Sequence, residues 1–144
     1  MPIATIQEKI CFVSLELSPR DVSGLLERHA ENYPGAPARE QEGAAVIAAE
    51  FETAAVRAFV ESVVRWGGGQ RFVGRLLDQN TPEQIAEALK EANTLLQTGQ
   101  AAAAVSRLQN LRYLGQSFAS KVARFMSPTH AVILDEVIRG GLGY

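Results

Sequence analysis

Apolar residues recur at helical spacing along most of this 144-residue chain. Between about Glu42 and Trp66 they form one broad apolar face, which predicts a single long helix that Gly67–Gly69 ends. Capping boxes with a proline at the first helical position mark two further helix starts, at Ser18 and Thr81. The chain is therefore predicted to hold helices that begin at Ser18, cover about residues 70–78, run from Thr81 to about Thr98, run from Gln100 to about Leu111, and follow Gly115.

Segments that suit a strand are scarce. Ile10–Leu15 is an apolar run that would fit a strand or a buried helix equally well, and Val132–Leu134 is short. The chain shows neither an internal repeat nor a clear linker. We therefore expect an all-α fold, with residues 1–144 forming one compact helical domain around a single core.

Composition narrows the class of protein but identifies no chemistry. Apolar residues make up 47% of the chain and charged residues 21%, which is ordinary for a globular protein. No apolar stretch approaches the roughly 18 residues of a membrane span, and no secretory leader is evident, so we expect a cytoplasmic protein that binds no membrane. Cys11 is expected to be a buried thiol, and His29 and His130 have no partner at ligand spacing. Neither a metal nor a cofactor is expected.

Charge is distributed unevenly along the chain. Residues 1–99 carry nine basic and 14 acidic side chains, whereas residues 100–144 carry five basic and two acidic ones. The net charge of −2 therefore hides a positive C-terminal part, which includes Arg112 and Arg124. Such a patch can bind phosphates, although charges on solvated helix faces would give the same count.

The positive part coincides with a predicted helical hairpin at about residues 104–126. Leucines precede Gly115, apolar residues at helical spacing follow it, and small Ala119 suits a close crossing of the two helices. In a DNA-binding hairpin, the turn and the start of the second helix point backbone amides at a phosphate. Gly115, Gln116 and Ser117 would supply these amides, with Arg112 and Arg124 nearby. Helical hairpins are common, so this spacing alone is a weak signal.

The hairpin and the following segment Ala131–Asp135 together resemble the helix-hairpin-helix DNA glycosylases, especially the 8-oxoguanine DNA glycosylase group. In that family an aspartate closes a short apolar run about eighteen residues after the hairpin lysine. Asp135 stands eighteen residues after Ser117, so the resemblance assigns it the catalytic carboxylate. Asp135 would also serve as the N-cap of a short helix, which requires no catalysis.

The chain departs from the family pattern at two places in the hairpin. Tyr113 replaces the first glycine of the family's Gly-hydrophobic-Gly turn, and Ser117 replaces the lysine that forms a Schiff base. Lys121, one helical turn later, is a candidate for that role, and a surface charge is the alternative. Trp66 and Gly67–Gly69 would suit the lip of a base pocket, although a core tryptophan beside a helix stop is the more ordinary interpretation.

These observations favour a DNA glycosylase-like protein of DNA repair. It would excise a damaged or modified base from double-stranded DNA with Lys121 and Asp135 as catalytic residues. Two alternatives from other classes remain open. One is a helix-hairpin-helix module that binds DNA without catalysis, and the other is a helical interaction protein with no nucleic-acid role.

Overall fold

The computed structural model describes the short segments 3–6, 9–12 and 15–17 and the continuous stretch 34–133. By its backbone contacts the chain divides into two compact units. Met1–Ala36 and Glu136–Tyr144 make up one unit, and Pro37–Asp135 makes up the other. The predicted helix at Ser18 and the side chain of Cys11 lie outside the described residues.

The first unit contains a small antiparallel sheet. Its strands are β1 (Ile3–Ile6), β2 (Lys9–Phe12) and β3 (Leu15–Leu17), in the order β1-β2-β3. Ile3 pairs with Phe12, and Ile10 pairs with Leu17. The apolar run that suited either a strand or a buried helix is thus strand over much of its length, because it belongs to a meander of short hairpins.

The second unit is built from helices alone over its described residues, which confirms the predicted compact all-α fold for this unit. Within residues 34–133, no helix is long and apolar enough to cross a membrane. The prediction that residues 1–144 form one domain stays a prediction. Within residues 34–133, six helices follow one another through short connections: α1 (Ala36–Ala48), α2 (Thr53–Trp66), α3 (Val73–Gln79), α4 (Pro82–Gln97), α5 (Ala101–Gln109) and α6 (Gln116–Met126).

The prediction of one long helix from Glu42 to Trp66 is wrong. The helix breaks after Ala48, where Glu50 and Phe51 adopt positive φ angles of 54° and 60°. Glu52 then restarts the helix, because its carboxylate accepts the amides of Ala54 and Ala55 at 3.0 and 2.9 Å. These hydrogen bonds hold the pKa of Glu52 below its ordinary value of 4.5. Because the apolar periodicity continues across the break, the sequence pattern did not predict it.

The other helix boundaries follow the sequence signals closely. Thr81 Oγ1 accepts the amide of Gln84 at 3.1 Å, and the Gln84 side chain accepts the amide of Thr81 at 2.8 Å. The predicted capping box at the start of α4 is therefore confirmed. The residues from Val132 onward that suggested a strand are irregular as far as they are described.

The core of the second unit lies where α2, α4, α5 and α6 meet. α4 packs against α5 and α2, and α6 packs against α5, α2 and α4. α1 approaches the C-terminal end of α6 at Gly43, where an added Cβ would collide with the Phe125 carbonyl group. Large side chains from all four central helices are buried there: Val56, Val60, Val63, Val64, Ile85, Leu89, Leu96, Leu108, Val122 and Phe125.

Candidate hairpin site

Helices α5 and α6 pack against one another and are joined by residues 110–115. Leu111 and Leu114 anchor this turn in the core, whereas Tyr113 is half exposed. Tyr113 has a φ of 67°, and Gly115 has extended backbone with φ −76° and ψ 176°. Gly115 therefore makes no left-handed bend in this turn. The left-handed residue is Tyr113, at the position where the resembled turn has its first glycine.

The N-terminal end of α6 lies at the surface. Gly115 is the N-cap of α6 and makes no side-chain capping hydrogen bond. Gly115 and Gln116 are exposed, and Ser117 is half-buried. The first amides of a helix have no acceptor within that helix, and the helix dipole is positive there. This end of α6 is therefore suited to an anion such as a phosphate.

Lys121 is buried in the face of α6 that follows the turn. The residue is only 8% exposed, and its Nζ donates a hydrogen bond to Ser117 Oγ at 2.8 Å. Nζ also lies 5.1 Å from the centre of the Phe118 ring. Positions 117 and 121 are neighbours on one helix face, so the lysine amine lies beside the side chain at the position where the family carries its lysine.

The glycine turn after α2 borders this lysine. A Cβ at Gly67 would lie 2.8 Å from Phe118 Cε1 and 3.1 Å from Lys121 Cδ, so only glycine leaves both side chains undisturbed. Phe118 in turn meets Phe72 edge to face, with ring centres 5.0 Å apart. The turn therefore helps to enclose the lysine.

Trp66, the last residue of α2, packs edge to face on Phe125 at 5.0 Å and is half-buried. This contact matches the interpretation of Trp66 as a core residue beside a helix stop. Gly67 lies against Lys121, whereas Gly69 is buried against Val64 and Phe72. The structure gives the turn a packing role, and a role as a lip stays a hypothesis.

Two of the three arginines of the hairpin region are already compensated by acidic residues. Arg107 forms an ion pair with Glu91 of α4, and Arg124 forms one with Glu40 of α1 at 3.0 Å. Arg112, at the turn, is exposed and contacts an uncharged group, Gln79 Oε1, at 3.5 Å. Arg112 thus retains a charge suited to a phosphate, whereas Arg124 is engaged within the protein.

Asn80, which lies between α3 and α4, is a buried residue that contacts the hairpin turn and was not predicted from the sequence. It is 5% exposed, and its side-chain amide bonds both backbone groups of Arg112. An asparagine between a helix and a capping box is typical of an exposed loop, so the sequence held no sign of this contact.

The remaining candidates lie apart from the lysine or outside the described residues. Asp135 is outside them, so its place relative to Lys121 stays a prediction. His130 is exposed, and its Nδ1 lies 2.8 Å from Ser127 Oγ. Among the described residues, no group of three histidine, cysteine or acidic side chains could hold a metal ion.

Comparison with known proteins adds a family assignment to this geometry. A family model described as "Putative 8-oxoguanine DNA glycosylase OGG-like protein" matches residues 38–143. No curated protein and no solved structure matches the chain.

Proposed function

Because the chain belongs to the 8-oxoguanine DNA glycosylase OGG-like family, we propose that it excises a damaged or modified base from double-stranded DNA with Lys121 as the nucleophile. The observation that carries this assignment is the 2.8 Å hydrogen bond from Lys121 Nζ to Ser117 Oγ. Serine cannot form an imine, but this contact supports the proposal that the Lys121 amine replaces the lysine that the resemblance expects at position 117.

The surroundings of Lys121 suit such a nucleophile. A lysine attacks only as the neutral amine. Lys121 is buried in a region formed by α6 and the turn that follows α2. Its four-carbon stem is flexible, so the amine is proposed to turn from Ser117 toward a sugar carbon.

In the proposed reaction the Lys121 amine first displaces the base and then forms an imine with the sugar. The Nζ lone pair forms a bond to C1′ of the deoxyribose, the bond from C1′ to the base breaks, and the base leaves with a proton. The remaining Nζ proton then passes to the ring oxygen O4′ as the bond from C1′ to O4′ breaks, and borohydride reduces the resulting imine between C1′ and Nζ to a stable amine. Asp135 is proposed to stabilise the positive charge that develops on the sugar, and the amides of Gly115, Gln116 and Ser117 to hold a phosphate beside it.

The lysine content of the chain makes the assignment testable. The sequence contains three lysines, Lys9, Lys90 and Lys121, and Lys90 is exposed on α4. Duplexes that carry different oxidised or alkylated bases are incubated with the protein in the presence of borohydride. Trapping of a covalent complex is expected with the wild type and Lys90→Arg, and not with Lys121→Arg. Trapping by Lys121→Arg would overturn the assignment, and absence of base release from every duplex would overturn the enzyme proposal.

A lysine exchange tests the location of the amine separately from folding. Lys121→Ser removes the amine, and the double variant Ser117→Lys with Lys121→Ser returns it to the position that the family uses. We expect the single variant to lose trapping and the double variant to recover it. If the double variant recovers the unfolding temperature of the wild type but not trapping, the amine is not the reacting group.

The burial of Lys121 also supports a second candidate, a DNA-binding module without catalysis. At 8% exposure, a lysine bonded to Ser117 could serve to stabilise the hairpin. In that case Lys121→Arg and Asp135→Asn would leave duplex affinity unchanged, and no duplex would release a base. Gly115→Val would then weaken binding by crowding the phosphate and not by disturbing the fold, because an added Cβ at Gly115 would meet no described atom within 4 Å beyond its chain neighbours.

A further inference from the structure

The turn between α5 and α6 is held from outside by one buried amide side chain. Asn80 follows α3, and its Nδ2 donates to the carbonyl group of Leu76 at 2.7 Å and to that of Arg112 at 2.9 Å. Its Oδ1 accepts the amide of Arg112 at 3.0 Å. The side chain therefore pairs with both backbone groups of a residue 32 positions later, as a strand partner would.

This contact acts where the turn is under conformational strain. Tyr113, the next residue, holds a left-handed φ of 67°, which is unfavourable for any residue that carries a Cβ. A strained conformation persists when its surroundings fix it. Leu111 and Leu114 anchor the side-chain face of the turn, and Asn80 anchors its backbone.

We infer that Asn80 is a positioning residue for DNA binding, which holds the turn so that the start of α6 can meet a phosphate. Gly115, the N-cap of α6, lies three residues after Arg112, whose backbone Asn80 binds. The inference rests on the proposed function, because it assumes that this turn faces DNA. Asn80 itself lines a polar cleft of about 310 Å³ beside the turn. It would act through the backbone of Arg112 and touch no substrate atom.

Asn80→Asp is a sharp test because its effect should depend on pH. When ionised, the new carboxylate could still accept the amide of Arg112, but it would face two carbonyl groups with no proton to donate. A protonated carboxyl group regains one donor, and burial raises the pKa of such a group. Asn93→Asp, on α4 where Asn93 is half-buried and bonds only Gln97 among the described contacts, is the matched control.

Duplex affinity is measured by fluorescence anisotropy at about 50 mM salt, between about pH 5 and pH 8, for the wild type and both variants. Loss of the hydrogen bonds between residue 80 and the backbone of Arg112 is expected to lower the duplex affinity of the Asn80→Asp variant about tenfold at pH 8. The deficit should shrink toward pH 5, and Asn93→Asp should follow the wild type throughout. Glu87, Arg107 and Arg112 are the charged groups that share the cleft with Asn80, and the wild type measured at each pH is the reference for their contribution.

Hydrogen exchange of the Arg112 amide distinguishes failure of the role of Asn80 in DNA binding from failure of the proposed function. Faster exchange in Asn80→Asp, with an affinity equal to the wild type at every pH, would overturn the role of Asn80 in DNA binding and leave the proposed function intact. A deficit that does not change with pH would also overturn it, since that is the result of general destabilisation. A wild type that binds no duplex, while its Arg112 amide is protected, would overturn both.

Discussion

The positive φ of Tyr113 predicts that glycine is better than alanine at this position, which reverses their usual order. Both substitutions remove the same half-exposed ring, so the loss of its contacts cancels in the comparison. The left-handed conformation costs alanine about 1–2 kcal/mol and costs glycine almost nothing. Against this, the greater freedom of glycine in the unfolded chain costs about 0.5–1 kcal/mol. We therefore expect Tyr113→Gly to be more stable than Tyr113→Ala by about 0.5–1 kcal/mol.

Asn110, three residues earlier in the same turn, provides the matched control. It is exposed and has an ordinary φ of −70°, so the same pair of substitutions should show the opposite order there. Asn110→Ala should be more stable than Asn110→Gly by about 0.5–1 kcal/mol. Urea unfolding followed by circular dichroism measures all four variants, and a difference of this size corresponds to about 2–4 °C in the unfolding temperature.

The relative stability of Tyr113→Gly and Tyr113→Ala tests whether the left-handed conformation of the turn carries a cost. If Tyr113→Gly is no more stable than Tyr113→Ala while Asn110 behaves as expected, the left-handed conformation carries no cost there. The comparison with the family's Gly-hydrophobic-Gly turn would then lose its physical basis. If glycine is better at 113, the chain keeps the backbone of the family turn although it has lost the first glycine.

Three further predictions concern single residues whose packing, backbone angle or hydrogen bonds the structure defines. Gly67→Ala should reduce borohydride trapping and lower stability by about 1–3 kcal/mol, because its Cβ would press on Phe118 and Lys121; trapping at the wild-type level would contradict this packing. Gly99→Ala should cost about 1 kcal/mol in urea unfolding, because φ is 78° there, and no loss would show that the turn adapts. The stability advantage of the wild type over Glu52→Ala should be full near neutral pH and should disappear as the pH falls through the lowered pKa of Glu52; an advantage that grows in acid would refute the cap.

The sequence predicted those parts of the fold that depend on local signals. The capping box at Thr81 and the glycines after α2 and α4 fix helix ends through nearby residues, and these were predicted within a few residues. The break at Glu50 and Phe51 was missed because the apolar face continues in phase across it. Asn80 was missed for a different reason, since its partner lies 32 residues away and side-chain type does not reveal such a contact.

The candidate site could be predicted in its location but not in its chemistry. The spacing of Ser117 and Lys121 places them one helical turn apart, so their proximity follows from helix geometry. Whether the amine points inward depends on packing by Gly67 and Phe118, which come from two different elements. The basic count in residues 100–144 was likewise correct, but it did not show that Glu91 and Glu40 neutralise two of those charges.

This charge pairing leads to a last prediction, on the salt dependence of duplex binding. Each phosphate contact made by a basic side chain adds about 0.9 to the slope of log affinity against log salt concentration. Arg112 is exposed at the turn and bonds an uncharged group, whereas Arg107 is paired with Glu91. We therefore expect Arg112→Gln to reduce the slope by about 0.9, and Arg107→Gln to leave it almost unchanged.

Anisotropy titrations at several salt concentrations measure these slopes, and Arg124→Gln tests the same argument independently. Arg124 lies in the last turn of α6, away from the helix start, and is held by Glu40, so its loss should lower stability more than it changes the slope. If Arg107→Gln or Arg124→Gln reduces the slope as much as Arg112→Gln, their ion pairs open when DNA binds. The hairpin would then present a basic face to DNA, and backbone amides with one arginine would not account for its affinity.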